Sequence, residues 1–220
     1  MNYLQEAAGQ NATAIGFGYR RMWQENLAWV LIRLMIQVRR YPVMGEDLTV
    51  TTWPSGVDSR SAHRDYLITD QAGNKIAAAT SSWVTFDMEE RAMAPIPAFV
   101  EEAFNTFPDR ALNFTTRTIP RLKEAVHEKV FHVRESDLDA NGHVNNVHFI
   151  DWAVESIPRP ERDNLRLAEV DVVFRQECKY GDIVFTRSSA GMEENPARFD
   201  HSIVRHPDGA ELARLRTYWV

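Results

Sequence analysis

The stretch Ser136-Asp-Leu-Asp-Ala-Asn-Gly-His-Val-Asn-Asn-Val-His-Phe-Ile-Asp-Trp-Ala-Val-Glu-Ser-Ile157 decides how the rest of the chain is read. Its first half is polar and carries an acid, an amide and an imidazole. Asp139, Asn141 and His143 stand at i, i+2 and i+4, so an extended segment would project all three to one side. The second half turns helical. Ile150, Ala153 and Ile157 recur at helical spacing, with Phe149 and Trp152 widening the apolar stripe. Asn145 or Asn146 is the expected N-cap, and Pro158 stops the helix. The three polar groups are thus delivered to the positive end of a self-burying helix, where a developing oxyanion would be stabilised.

Working outward, a strand over 129–134 leads into this stretch. The run Ala168 to Phe185, a strand near 199–205, a turn at Pro207-Asp-Gly209 and a last strand over 212–220 follow it. The first part of the chain has the same plan. A helix over 1–14 puts Leu4, Ala8, Asn11 and Ile15 on one face and ends at Gly16-Phe-Gly18. Strands are expected over 27–38, 48–53, 64–69 and 75–86, with turns at Gly45-Glu46 and 70–74. Gly73, Ile76 and Trp83 match Gly209, Leu212 and Trp219 at one offset, and Gly45 matches Gly181. Each half therefore reads as one α+β unit, a helix wrapped by an antiparallel sheet. Between them, Glu89-Glu-Arg, Pro95, Pro97, Pro108 and the short amphipathic piece Phe99 to Phe104 read as a connector. The expected division is 1–90, a linker over 91–125, and 126–220.

Bulk properties narrow the function. The chain has 220 residues, 44% of them hydrophobic, enough for a sizeable core. The start lacks the basic-then-apolar pattern of a secretion signal, and no apolar run approaches a membrane span of ~20 residues. The single cysteine, Cys178, rules out an internal disulfide and fits a reducing compartment, so a cytoplasmic location is expected. A formal charge of −6 argues against nucleic acid as partner.

Three segments carry a resemblance. Ser136-Asp-Leu-Asp-x-Asn-x-His-Val-Asn-Asn-Val147 resembles the signature of the acyl-ACP thioesterases, the plant plastid enzymes and their bacterial relatives. Ile36 to Trp53 resembles that family's first-half strand pair, and Arg175-Gln-Glu-Cys178 its second-half Glu-Cys pair. The resemblance implies a tandem (double) hotdog fold, with acyl-chain binding in the first half and catalysis in the second. It implies hydrolysis of a fatty acyl thioester on acyl carrier protein, in fatty acid biosynthesis, without a cofactor. It also implies a strand ahead of the first helix. Here the chain starts inside that helix, so either it is a shortened form or its first half manages with one strand fewer.

The resemblance assigns roles to Asp139, Asn141, His143 and Glu177, with the backbone N–H of Val144 at the oxyanion. Glu177 and Cys178 define two mechanisms. Cys178 could be a thiolate nucleophile paired with His143, or Glu177 and His143 could activate a water. Neighbours in a regular strand face opposite ways, so only one would meet His143 unless a bulge intervenes. Hotdog thioesterases similar to this chain use a carboxylate, which favours Glu177. The competing structural role for Glu177 is an ion pair with Arg175 or Lys179. Its first-half counterpart is Tyr41, so one half alone carries the constellation. His148, five residues from His143, is poorly spaced for a shared metal. His63, His127, His132, His201 and His206 are expected on the surface or in the sheet.

Trp23, Trp29, Leu31, Leu34, Met35 and Trp53 are core residues or the lining of an acyl tunnel. Met22, Met35 and Met44 are the candidates for setting its length. Acyl carrier protein is acidic, so a basic landing site is expected among Arg20-Arg21, Arg39-Arg40, Arg117 with Arg121 and Lys123, or Arg159 with Arg162, the linker cluster first. A homodimer is compatible with the sequence. The alternatives are an acyl-CoA thioesterase on the same fold, and a non-catalytic acyl-binding hotdog protein.

Overall fold

The computed structural model describes residues 1–58, 60–104, 109–194 and 197–220. The chain divides into two compact units, Met1–Thr115 and Thr116–Val220. Pro108, read as part of the connector, lies outside the described residues.

In the first unit, α1 (Asn2–Ala14) and α2 (Tyr19–Gln24) precede β1 (Leu27–Val38), β2 (Leu48–Val57), β3 (Ala62–Asp70), β4 (Lys75–Asp87), β5 (Ala92–Ala94) and α3 (Ala98–Phe104). Strand order is β2-β3-β4-β1, all antiparallel, with β5 joining the end of β4. α1 buries Leu4 and Ala8, as their spacing requires. Among the described residues no strand precedes α1.

The expected linker is mostly part of this unit. Ile96, Val100 and Phe104 pack with Phe17, Met22 and Ala62 in one buried cluster. Residues 109–114 lie along the sheet around Asp65, which is fully buried. The Asp65 carboxylate takes the N–H groups of Ala111 and Leu112 at 3.0 and 3.3 Å, the Ser55 hydroxyl, and an ion pair from Arg110 at 2.9 Å. A buried carboxylate needs such partners to offset its lost hydration. Proline and charge mark a connector in sequence, but apolar residues between them still close a core.

The second unit contains β6 (His127–His132), a 3₁₀ turn (Glu135–Asp137), α4 (Asn146–Ser156), α5 (Arg159–Arg162), β7 (Leu167–Phe174), β8 (Ile183–Glu194), β9 (Ala197–His206) and β10 (Glu211–Trp219). Its order is β7-β10-β9-β8-β6, again antiparallel. Even the last linker residues are tied down: Ile119 is buried, and its carbonyl accepts from Arg214. α4 buries Phe149, Trp152, Ala153 and Ser156. With Ile157 buried at its end, this is the expected stripe except that Ile150 is only half-buried; Trp152 stacks on Phe131 and Phe149 meets Phe174 edge-on. Asn145 caps the helix by accepting the Val147 N–H at 3.2 Å.

The two units share one internal register. Val38 faces Ala77 in the first and Phe174 faces Ala213 in the second, both partners advanced by the same step. Beyond the strand, the N–H groups of Arg39 and Arg40 both reach the Ile76 carbonyl, as those of Arg175 and Gln176 reach Leu212. Trp83 donates to Ser81 and Trp219 to Thr217, each two residues back. Gly73 and Gly209 both take positive φ in the hairpin turns, the left-handed region that glycine enters without cost.

Candidate active site

The constellation is built from two loops of the second unit. In the first, Asp137 is nearly inaccessible and closes the 3₁₀ turn. Its carboxylate accepts from the backbone N–H and the guanidinium of Arg134 at 2.9 and 2.8 Å. Burial works to raise its pKa, but these Arg134 bonds and charge outweigh it and hold the carboxyl below its usual range. The Asp137 carbonyl takes the Asn145 N–H at 2.9 Å, fixing where α4 begins.

Residues 139–143 are a tight turn rather than the expected extended segment. The Asp139 N–H donates to the His143 carbonyl at 2.7 Å, and Gly142 has φ +76°. The exposed Asp139 carboxylate accepts the N–H groups of Asn141 and His143 at 2.8 and 3.2 Å. Asp139 therefore organises the turn that presents His143. Asn141 is exposed at the turn's tip.

The second loop spans 175–182, between β7 and β8, so Glu177 and Cys178 are not in a strand. Alternation does not decide between them; burial does. The Glu177 side chain is 65% exposed and places Oε2 3.2 Å from His143 Nε2. Of the expected competitors, Arg175 pairs instead with Glu211 at 3.2 Å. Cys178 is 1% exposed. Burial pushes its thiol up to about 12, and the neighbouring Asp182 adds to the rise, so at neutral pH it is a protonated, sealed thiol.

Val144 requires a correction. Its N–H donates to the Cys178 carbonyl at 2.8 Å, so it is not open to an oxyanion. That bond welds the His143 loop to the Glu177 loop. Among the described residues no group of three or more His, Cys, Asp or Glu side chains could hold a metal ion. His148 sits in α4; His63, His127, His132, His201 and His206 sit in strands, and His201 is wholly buried beside Thr217 at 2.9 Å. In the first unit Met22 and Met35 are buried, whereas Met44 and Trp23 face solvent and cannot line a tunnel.

The acyl-ACP thioesterase N-terminal domain model matches residues 1–104, and the C-terminal domain model matches residues 121–220. The chain belongs to the acyl-ACP thioesterase family. A palmitoyl-acyl carrier protein thioesterase, chloroplastic, of Gossypium hirsutum is 32% identical across 100% of this chain and 58% of its own length. The chain thus spans little more than half of that relative. The solved 12:0-ACP thioesterase from Umbellularia californica is 25% identical, with TM-score 0.87, covering 100% of this chain and 88% of that one. An acyl-ACP thioesterase from Bacteroides thetaiotaomicron, 24% identical with TM-score 0.86, covers 100% and 87% and shares the fold. The fold is the α+β hotdog of this family, as the sequence implied.

Arg134, Asp137 and Arg205 are the organising residues of the site that sequence reading passed over. Asp137 alone had a signal, as an acid opening the same motif. The motif's Asn141-Gly142 dipeptide also marks a turn.

Proposed function

We propose that this acyl-ACP thioesterase family member hydrolyses fatty acyl thioesters carried on acyl carrier protein, releasing free fatty acid for lipid metabolism. The observation that carries the reading is the His143 Nε2–Glu177 Oε2 approach of 3.2 Å beside a sealed Cys178 thiol. Both side chains are water-accessible, His143 at 33% and Glu177 at 65% exposure.

Glu177 takes a proton from water as the hydroxyl adds to the thioester carbonyl. The tetrahedral intermediate collapses and its C–S bond breaks. The proton passes through His143 to the departing thiolate, giving the free acid and the carrier thiol. Asp139 holds the His143 turn. With the Val144 N–H engaged, the exposed Asn141 amide is left to donate to the oxyanion. The lone free cysteine supports a reducing compartment such as the cytoplasm.

A hydrolysis assay across chain lengths, on acyl-ACP and acyl-CoA, tests the reading. Acyl-ACP should be the better substrate, and His143→Ala and Asn141→Ala should each lose about 100-fold in turnover while melting as the parent does. Full activity in those variants would remove the motif from the mechanism. A clear preference for acyl-CoA would instead select the nucleotide-linked thioester.

A further inference from the structure

Glu177 rides on a loop outside any strand, so backbone bonds and side-chain contacts together set its place. One side is held by the Val144–Cys178 backbone bond. The other side meets Arg205, at the end of β9. Arg205 Nη1 donates to the Glu177 carbonyl at 3.2 Å and lies 3.8 Å from Asp182 Oδ2. Its Nε and Nη2 fork onto Asp208 Oδ2 at 3.2 and 2.7 Å. Asp182 Oδ2 in turn accepts the Lys179 N–H at 2.9 Å. One guanidinium therefore links the β9–β10 turn to Glu177 and to Asp182 at the far end of the acid-bearing loop.

We propose that Arg205 is a positioning residue for Glu177: it fixes the loop so that the carboxylate stands opposite His143, without itself meeting substrate. The inference rests on the catalytic reading of Glu177 given above. A planar, permanently charged fork suits this role, because it serves a carbonyl and two carboxylates in fixed directions. Without it the Glu177 carbonyl loses its donor, and Asp182, beside the buried Cys178 thiol, loses its cation. A displacement of ~1 Å in a reacting group can cost ~100-fold in rate.

The test compares wild type, Arg205→Met, Arg205→Lys, Glu177→Gln and the Arg205→Met/Glu177→Gln double variant, by kcat and KM on acyl-ACP alongside thermal melts. Arg205→Met should lower kcat by about 10- to 100-fold while KM stays within about 3-fold. Arg205→Lys, which keeps a cation beside Asp182 and Asp208, should recover part of that loss. The double variant should be no slower than Glu177→Gln alone, because Arg205 acts only through that carboxylate. A folded Arg205→Met enzyme with parental kcat overturns the proposal, as does a double variant whose losses multiply. If Arg205→Met does not fold, Arg205→Lys carries the same comparison: its loss of kcat must disappear in the Glu177→Gln background. A Glu177→Gln enzyme at full rate fails the underlying catalytic reading instead, and that single variant separates the two failures.

Discussion

Asp139 and Asp137 stand two residues apart and do different work. Asp139 is exposed and ties down the backbone of its own turn, while Asp137 is buried and anchors the chain ahead of α4. Spacing alone cannot separate them, because it does not report which carboxylate finds buried donors. The occupied Val144 N–H was hidden for the same reason: its acceptor, the Cys178 carbonyl, is distant in sequence. His201 gives a residue-level prediction. Burial holds it neutral, with a pKa lowered to about 3, against ~6.5 in the unfolded chain. Above pH ~6.5 both states are neutral and the group contributes no pH dependence. Below it, the unfolded chain binds a proton that the native state refuses, so stability falls as pH falls toward 3, by about 1.4 kcal/mol per unit. Urea midpoints at pH 7 and 5.5 should diverge more in wild type than in His201→Phe. Equal pH slopes would show that His201 is not held neutral.

Among the elements, α4 was the most legible: its cap, its length and its proline stop all follow from local chemistry. Its buried face falls within the expected apolar stripe, Phe149, Trp152, Ala153 and Ile157 being buried, and Ile150 alone stays half-buried because the aromatic partners Phe131 and Phe174 draw Trp152 and Phe149 inward. Trp152→Ala should therefore cost about 3–5 kcal/mol, and Ile150→Ala, at a half-buried position, distinctly less. Denaturant unfolding of the two variants checks the order, and the reverse ranking would contradict the assigned face. The 168–185 run was less legible. Glu177 and Cys178 read as neighbours in a strand, whereas 175–182 forms the loop that carries Glu177. Gly181-Asp182 is the local mark of that break, a turn with φ +81° at the glycine.

Over the whole molecule, the internal repeat was readable because glycines at turns and paired tryptophans survive where most residues differ. The linker was not, because a segment rich in proline still buries Ile96, Val100 and Phe104. Charge acts at this scale as well. Arg21 closes on Glu25, Arg40 on Glu46 and Asp70, and Arg162 on Glu155. Arg121 and Lys123 remain on the surface near the start of the second unit. An acidic carrier drawn to exposed cations should show KM rising with salt, since screening shortens the reach of such attraction to ~10 Å at 0.1 M. A KM unchanged from 20 to 300 mM salt, values set by the assay, would mean that recognition is not electrostatic.

The central claim, water activation by Glu177 and His143 beside an inert Cys178, is tested most directly by two substitutions in one acyl-ACP assay. Glu177→Gln, nearly isosteric, should lose at least about 100-fold in kcat. Cys178→Ala should stay within about threefold of the parent, and a thiol-alkylating reagent should leave the native enzyme active, because the thiol is sealed and protonated. A fully active Glu177→Gln enzyme together with a dead but folded Cys178→Ala enzyme would contradict the account and make the cysteine the nucleophile.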